Sequence, residues 1–402
     1  MKTSAFVYPW DVIGDPDAAR RIAGLGVRQV TLASAYHSTR ALTPRHPRHR
    51  VVTAEHAAVL YPAGRERWAG RRLRPYAPGA WAAGDPGDPP RPSDPFGEAA
   101  GALAAEGLDV HSWVVLAHNS RLGAEHPDTS VVNAYGDRYP WAPCIARPEV
   151  RSYLVDLAAE AAARPGARGT ELESCGWYGF AHLHAHDKVG GAPLGEAAQY
   201  LMSLCFCASC AEGYRDAGLD AGELAEAVRR ALAPLWAGRT GPPGGWDAVR
   251  ELLGAELAAA TLEFRSLAAR TLQEAAVRAV RAAAPEGFQV LLHADPAPHR
   301  TGANPGVSPT RVLELADGVV LPCTGPAAGR EAMFGPFGDH ATGKVLAANL
   351  TVVAGMGGSP ATLAADAAHA ASLGATELRL YHAGLASDQD LALVRKALAE
   401  VG

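Results

Sequence analysis

Apolar positions along this chain alternate between two kinds of spacing. Runs in which most residues are apolar fall at 4–8, 27–35, 110–116, 288–293, 318–322, 345–350 and 377–381. Their length and their Gly, Pro and Asp flanks predict strands buried on both faces. Between them lie stretches with helical spacing. One starts at Asp15-Pro16-Asp17 and ends at Gly24, another runs from Ser93-Asp94-Pro95 to Gly107, and a third runs from Arg147-Pro148-Glu149 to about residue 163. A proline in the first turn suits each start. Later helices are expected over 308–316, 359–373 and 387–400. Residues 170–173 add a fourth strand, followed by a helical insertion from about 193 to 285 in which 250–283 reads as one long amphipathic helix. The segment 38–93 is a long irregular insertion after the second strand, where 51–53 and 57–61 could pair as a small hairpin.

Eight strands alternating with helices imply parallel strands joined by right-handed crossovers, and eight of them close into a (β/α)₈ TIM barrel. The rival, an open doubly wound sheet, lacks its phosphate-binding glycines: Val7-Tyr8-Pro9-Trp10-Asp11 follows the first strand. A single barrel domain spanning 1–402 is expected, with the 38–93 loop and the helical insertion as its two departures from regularity.

Composition narrows the function only by exclusion. The 402 residues are 48% hydrophobic and 20% charged, with a formal net charge of −5. That balance gives no electrostatic case for nucleic acid or an anionic membrane. There is no apolar run long enough to span a bilayer and no leader-like start, so a cytoplasmic protein is expected. Six cysteines in a chain of this length do not suggest a disulfide framework.

In a barrel, the chemistry sits at the carboxyl ends of the strands. The residues expected there are Trp10, Tyr36, His37, His118, Asn119, Arg121, Trp177, His293, Tyr381 and His382, joined by His184, His186 and Lys188 from the loop after strand four. Flat rings cover sugar faces and fixed polar groups match hydroxyls, so this set points to a small-molecule carbohydrate. Glu171 and Glu173 are two apart on strand four and face the same way. Paired carboxyl groups are what glycoside hydrolysis generally uses. Glu173, nearer the mouth, is the expected proton donor. Glu171 lies deeper, where burial would favour its protonated form. Asp295 is the next candidate for the partner carboxylate, and Glu331 a weaker one.

Two clusters admit metals. His182, His184 and His186 could ligate an ion together with His118, His293 or Asp295, which would make a metal-dependent hydrolase or isomerase, or they could simply bind substrate. Cys205, Cys207 and Cys210 could share a structural zinc, with Cys144 or Cys175 as the fourth ligand. No organic cofactor is implied. A non-catalytic carbohydrate-binding barrel is the third reading. A homo-oligomer is compatible with all three.

Residues 133–137 (Asn-Ala-Tyr-Gly-Asp), the helix start Arg147-Pro148-Glu149-Val150-Arg151 and the acidic fourth strand resemble the glycosidase-like barrels of bacteria. A strand-four glutamate followed by Cys-x-Cys-x-x-Cys is similar to the family-42 β-galactosidases. That likeness, over roughly residues 110–215, implies Glu173 as acid/base and Cys144, Cys205, Cys207 and Cys210 as zinc ligands. It departs in two places: Leu172 rather than Asn precedes Glu173, and 347–350 supplies Asn349 but no glutamate after strand seven. A different carboxylate, a neighbouring group on the substrate, or an altered activity would each accommodate the difference.

Overall fold

The computed structural model describes residues 1–79, 93–183 and 187–401. Eight parallel strands form its centre: β1 (Lys2–Val7), β2 (Gln29–Tyr36), β3 (Asp109–Val115), β4 (Ala167–Glu173), β5 (Gln289–His293), β6 (Gly318–Pro322), β7 (Val345–Thr351) and β8 (Glu377–Tyr381). Each pairs with the next, and β1 pairs with both β2 and β8, so the sheet closes. The expected TIM barrel is therefore the observed one. Closure pairs each strand on both sides along its central stretch.

Alternation along the strands sorts residues into two cores. Outward-facing Val30, Leu32, Val110, Val114, Leu172, Leu292 and Leu380 pack under the helical shell. Inside the barrel, Leu291, Val320 and Ala347 form a small apolar patch. The upper level is aromatic, with Phe6, Tyr8, Tyr36 and Trp113 in one cluster. Gly169 is small for a reason: a Cβ there would lie 2.6 Å from the ring of buried His111.

Beneath the aromatic level sits a buried charge pair. Arg379 of β8 donates from Nε to Oε1 of Glu171 on β4 at 2.6 Å, and both side chains are 0% exposed. Thr31 of β2 donates to the same oxygen at 3.1 Å, and His293 of β5 lies 3.5 Å from the other. Arg379 also pairs with Glu377 at 2.8 Å. Burial alone would raise the Glu171 pKa, but Arg379 and His293 bring it down to about 2. The expectation of a protonated Glu171 is thus corrected. Depth did not neutralise it, because an internal guanidinium arrives from across the barrel.

The insertions differ in detail from expectation. Val51–Ala54 pairs antiparallel with Thr39–Leu42, and Ala58–Val59 instead adds to the edge of β2 beyond its parallel stretch. Glu160, on the helix Pro148–Ala162, ties this insertion down by accepting from Gly64 N at 2.6 Å and Trp68 Nε1 at 2.7 Å. Arg45 ties it to the loop after β8 by donating to the carbonyls of Ala383, Gly384 and Ala386. After β4, the long helix is two: Trp246–Leu253 and Ala255–Ala283. Gly254, at φ 85°, breaks it, since a left-handed residue cannot continue an α-helix. Among the described residues no helix is long and apolar enough to cross a membrane.

Removing one partner of the central pair strands a buried charge. Arg379→Met is expected to lose about 3–5 kcal/mol of unfolding free energy at neutral pH in denaturant titrations. The Glu171 pKa is lower in the folded chain than its ordinary 4.5, so the stabilisation it provides is complete above about 4.5 and disappears as pH falls toward about 2. Glu171→Gln should flatten the stability–pH curve across that interval. An unchanged curve would remove the pair from the acid response.

Candidate active site

Glu173 ends β4 with its carboxylate at the upper, aromatic level. Trp113 of β3 donates from Nε1 to its Oε2 at 2.8 Å. Burial pushes its pKa up, against the opposing pull of His293 and the Trp113 N–H. The outcome is a carboxyl group disposed to keep its proton, with 9% of its surface exposed, in contrast to the sealed and ionised Glu171 one inward position below.

Phenols stand around it. Tyr8 donates to the Tyr36 hydroxyl at 2.9 Å, and Tyr381 interacts with both. Burial raises the pKa of all three, so these hydroxyls are neutral donors and acceptors. Phe6 and Trp113 back them, with ring centroids 4.8 Å apart. His382 stacks on Tyr8 at 4.2 Å, and Trp10 stacks on Tyr8 at 4.5 Å. Trp10, Tyr36, Tyr381 and His382, all expected at the mouth, are therefore gathered by one aromatic stack. Tyr8 and Trp113 were not singled out from sequence. Each lies in an apolar run on the inward alternation, Tyr8 two residues after Phe6 and Trp113 two after His111, and that alternation was the signal available.

A second group flanks the first. His37 stacks on Tyr36 at 4.2 Å and faces His118 at 4.7 Å, while His118 stacks on Tyr178 at 4.1 Å. Tyr178 donates to the His182 carbonyl at 3.0 Å. Burial lowers His37 to about 4 and His118 to about 2, so both imidazoles are neutral at physiological pH. Of the metal set built on the loop after β4, His118 and His182 are neighbours, at 5.9 Å between ring centroids. His293 instead pairs with Glu171. Asp295 accepts from Ala297 N at 2.8 Å and faces Arg300 at 3.5 Å. His184 and His186 lie outside the described residues. Lys188 is exposed.

Three expected contacts go elsewhere. Asn119 caps the helix Ser120–Glu125 by accepting from Leu122 N at 3.0 Å. Arg121, on that helix, pairs with Glu125 at 2.8 Å and lies over the Tyr76 ring. Trp177 donates to the Arg265 carbonyl at 2.9 Å and packs beneath that guanidinium. A residue just past a strand end can serve the neighbouring helix as readily as the mouth, and strand position alone does not distinguish the two.

The backbone immediately after Glu173 is unusual. Ser174 has φ 55°, a left-handed conformation that non-glycine residues seldom adopt. Its N–H is held by the Ala303 carbonyl at 2.9 Å, and its own carbonyl accepts from Ala117 N at 3.2 Å. Such residues persist where their surroundings fix them, and they cluster at functional sites.

Away from the mouth, Cys144, Cys205, Cys207 and Cys210 form a buried quartet whose sulfurs all lie within 4.8 Å of one another. Cys144 is 3.5 Å from Cys210 and 3.6 Å from Cys207. Four thiolates at about 2.3 Å from a tetrahedral ion stand roughly 3.8 Å apart, so the spacing fits a metal. Hydrogen bonding from the other three thiols favours the thiolate at Cys207. Cys175, the other sequence candidate, is buried outside this group.

No protein-family model matches the sequence, and no curated protein matches it. Among solved structures, the chain is similar to the α-L-fucosidase isoenzyme 2 of Paenibacillus thiaminolyticus, with TM-score 0.55 and 12% identity over 100% of this chain and 49% of that one. It is similar to the catalytic domain of a β-amylase from Paenibacillus polymyxa, with TM-score 0.56 and 10% identity over 100% and 98% of the two chains. A GH42 β-galactosidase from G. stearothermophilus gives TM-score 0.53 and 12% identity over 99% of this chain and 56% of that one. The chain thus spans about half the length of the fucosidase and the galactosidase, and nearly all of the amylase domain. At this level of identity the likeness establishes the fold, a TIM barrel of the kind on which these glycoside hydrolases are built.

Proposed function

We propose that the protein is a glycoside hydrolase acting on a small glycoside or oligosaccharide, with Glu173 as the proton donor. The observation that carries this reading is a carboxyl group whose pKa burial raises, hydrogen-bonded by the Trp113 N–H, at the strand-four end of a barrel mouth lined with phenols and indole. A glycosidic oxygen needs a proton as its bond to the anomeric carbon breaks, and a carboxylic acid with a raised pKa supplies one at neutral pH. Tyr8, Tyr36 and Tyr381 supply neutral hydroxyls for the sugar. Glu171 acts beneath it as a fixed negative charge, which raises the Glu173 pKa. Asp295, the other candidate partner carboxylate, accepts from Ala297 N and faces Arg300, and burial raises its pKa as well.

The cysteine quartet is proposed to hold a structural zinc. Its four thiolates would close the coordination shell, leaving no position for substrate, and the ion would pin the strand Arg138–Pro143 and the loop after it to the helix Ala208–Asp216.

Glu173→Gln should lower kcat on chromogenic glycosides by about 100-fold or more, the usual size of a general-acid contribution. Turnover that survives intact in that variant would remove Glu173 from the chemistry. Activity should fall as pH rises through the raised Glu173 pKa. Trp113→Phe deletes a hydrogen bond that favours the carboxylate, so the alkaline limb of kcat/KM should move to higher pH. Metal analysis should find about one zinc per chain in the purified protein, lost in Cys210→Ser together with several degrees of thermal midpoint. Brief chelation should leave initial rates unchanged. Rates that collapse on chelation and return with added metal would favour the metal-dependent reading instead.

A further inference from the structure

Two strands end side by side at the mouth. Leu292 of β5 is in register with Leu172 of β4, and the next residue of each strand is its last, His293 on β5 and Glu173 on β4. Adjacent strands lie about 4.8 Å apart, so residues at one height on one face are neighbours. Both of these face inward, His293 two residues after Leu291 of the internal patch and Glu173 two after Glu171. The imidazole is 3% exposed and meets Phe6 edge-on at 5.8 Å between ring centroids. Phe6 in turn packs on Trp113, the indole that donates to Glu173.

From that height the ring reaches down. Its Nε2 lies 3.5 Å from Oε2 of Glu171. Both atoms are buried, and neither has a hydrogen-bond partner among the described residues, so the two face one another. The other oxygen of Glu171 is already held, by Arg379 at 2.6 Å and Thr31 at 3.1 Å, with His111 Nδ1 at 3.9 Å. An apolar side chain at 293, like Leu291 below it, would leave that ion pair intact and bury no polar edge of its own. The imidazole instead brings a polar edge to the one place from which it touches Glu171 and flanks Glu173.

We propose that His293 is a positioning residue for the proton donor: anchored on Glu171 and lying beside Glu173, it links the two carboxyl groups and sets where on the pH scale the upper one ionises. The link rests on the glycosidase reading only in naming Glu173 the donor. Among the described residues, Glu171 below opposes ionisation of Glu173 and His293 favours it. The phenols of Tyr36, Tyr178 and Tyr381 also face Glu173, and burial keeps them neutral where a carboxyl group titrates. Arg379 and His111 face Glu171. As Glu173 hands its proton to a leaving oxygen, a second negative charge forms above the first. His293 offsets part of the repulsion between them, so the acid releases its proton more readily than burial and Glu171 alone would allow.

The test reads Glu173 directly. The Trp113 indole N–H donates to its carboxyl, so the indole resonance of an isotope-labelled chain follows the ionisation of Glu173, and Trp113→Phe identifies that resonance. His293→Leu is expected to move the midpoint up by about 1 pH unit, the low end for a charge or hydrogen bond at close range. His111→Leu, which disturbs the same Glu171 carboxylate from its other oxygen, should leave the midpoint in place. His293→Gln keeps a polar edge toward Glu171 and should move it the same way by less; it serves where the leucine variant folds poorly, which unfolding midpoints report separately. In the active enzyme the alkaline limb of kcat/KM should follow the indole midpoint. A midpoint unmoved by both substitutions at 293, or moved equally by His111→Leu, would overturn the proposal. An upward shift in a chain that turns over no glycoside would overturn the glycosidase reading and leave the link between the two carboxyl groups standing.

Discussion

A single guanidinium in the middle of a closed sheet organises the rest of the molecule. Arg379 reaches Glu171 across the barrel, and Thr31 and His293 complete the set around that carboxylate, so strands two, four, five and eight are joined through one anion. Two charges buried this deeply are costly to desolvate, and their mutual attraction offsets that cost. The arrangement lies directly beneath the aromatic mouth. It also sets a fixed charge beneath Glu173, and that charge, added to burial, opposes ionisation of the upper acid. Two glutamates two residues apart on one strand thus have pKa values shifted in opposite directions, Glu171 down and Glu173 up, chiefly because Arg379 on another strand faces Glu171.

Much of the fold was legible in the sequence. Seven apolar runs coincide with seven of the barrel strands, as expected of strands buried on both faces, and the eighth, β4, was legible from its position and its paired glutamates. The helix breaks were less legible. Gly254 sits in a stretch whose apolar spacing continues on both sides, and only its positive φ shows that one helix became two. The hairpin within 38–93 was misassigned because short strands of similar composition can choose among partners. Ala58–Val59 took the edge offered by β2, which no local pattern encodes.

Of the site, the part carried by strand ends was legible and the part carried by partners was not. Glu173, Tyr36, Tyr381 and His382 follow from position along a strand. The role of Glu171 depends on Arg379, 208 residues away, and a carboxylate's state is decided by such a neighbour more than by its depth. An arginine between two leucines in the middle of β8 and the deeper of the two glutamates of β4 were the two halves of that signal. Cys144 offered a comparable long-range match. It lies 61 residues before Cys205, and the fold brings its sulfur within ligating distance of the later three.

Arg45 has a bearing on how this barrel could be trimmed or recombined. Its guanidinium occupies the carbonyls of Ala383, Gly384 and Ala386, so the segment after the second strand and the turn after the eighth are a single piece of architecture. Excising the former would expose three oxygens on the latter and loosen the backbone that carries His382. A shorter relative without that excursion therefore has to furnish another cation, or a differently shaped final turn, to keep the same rim.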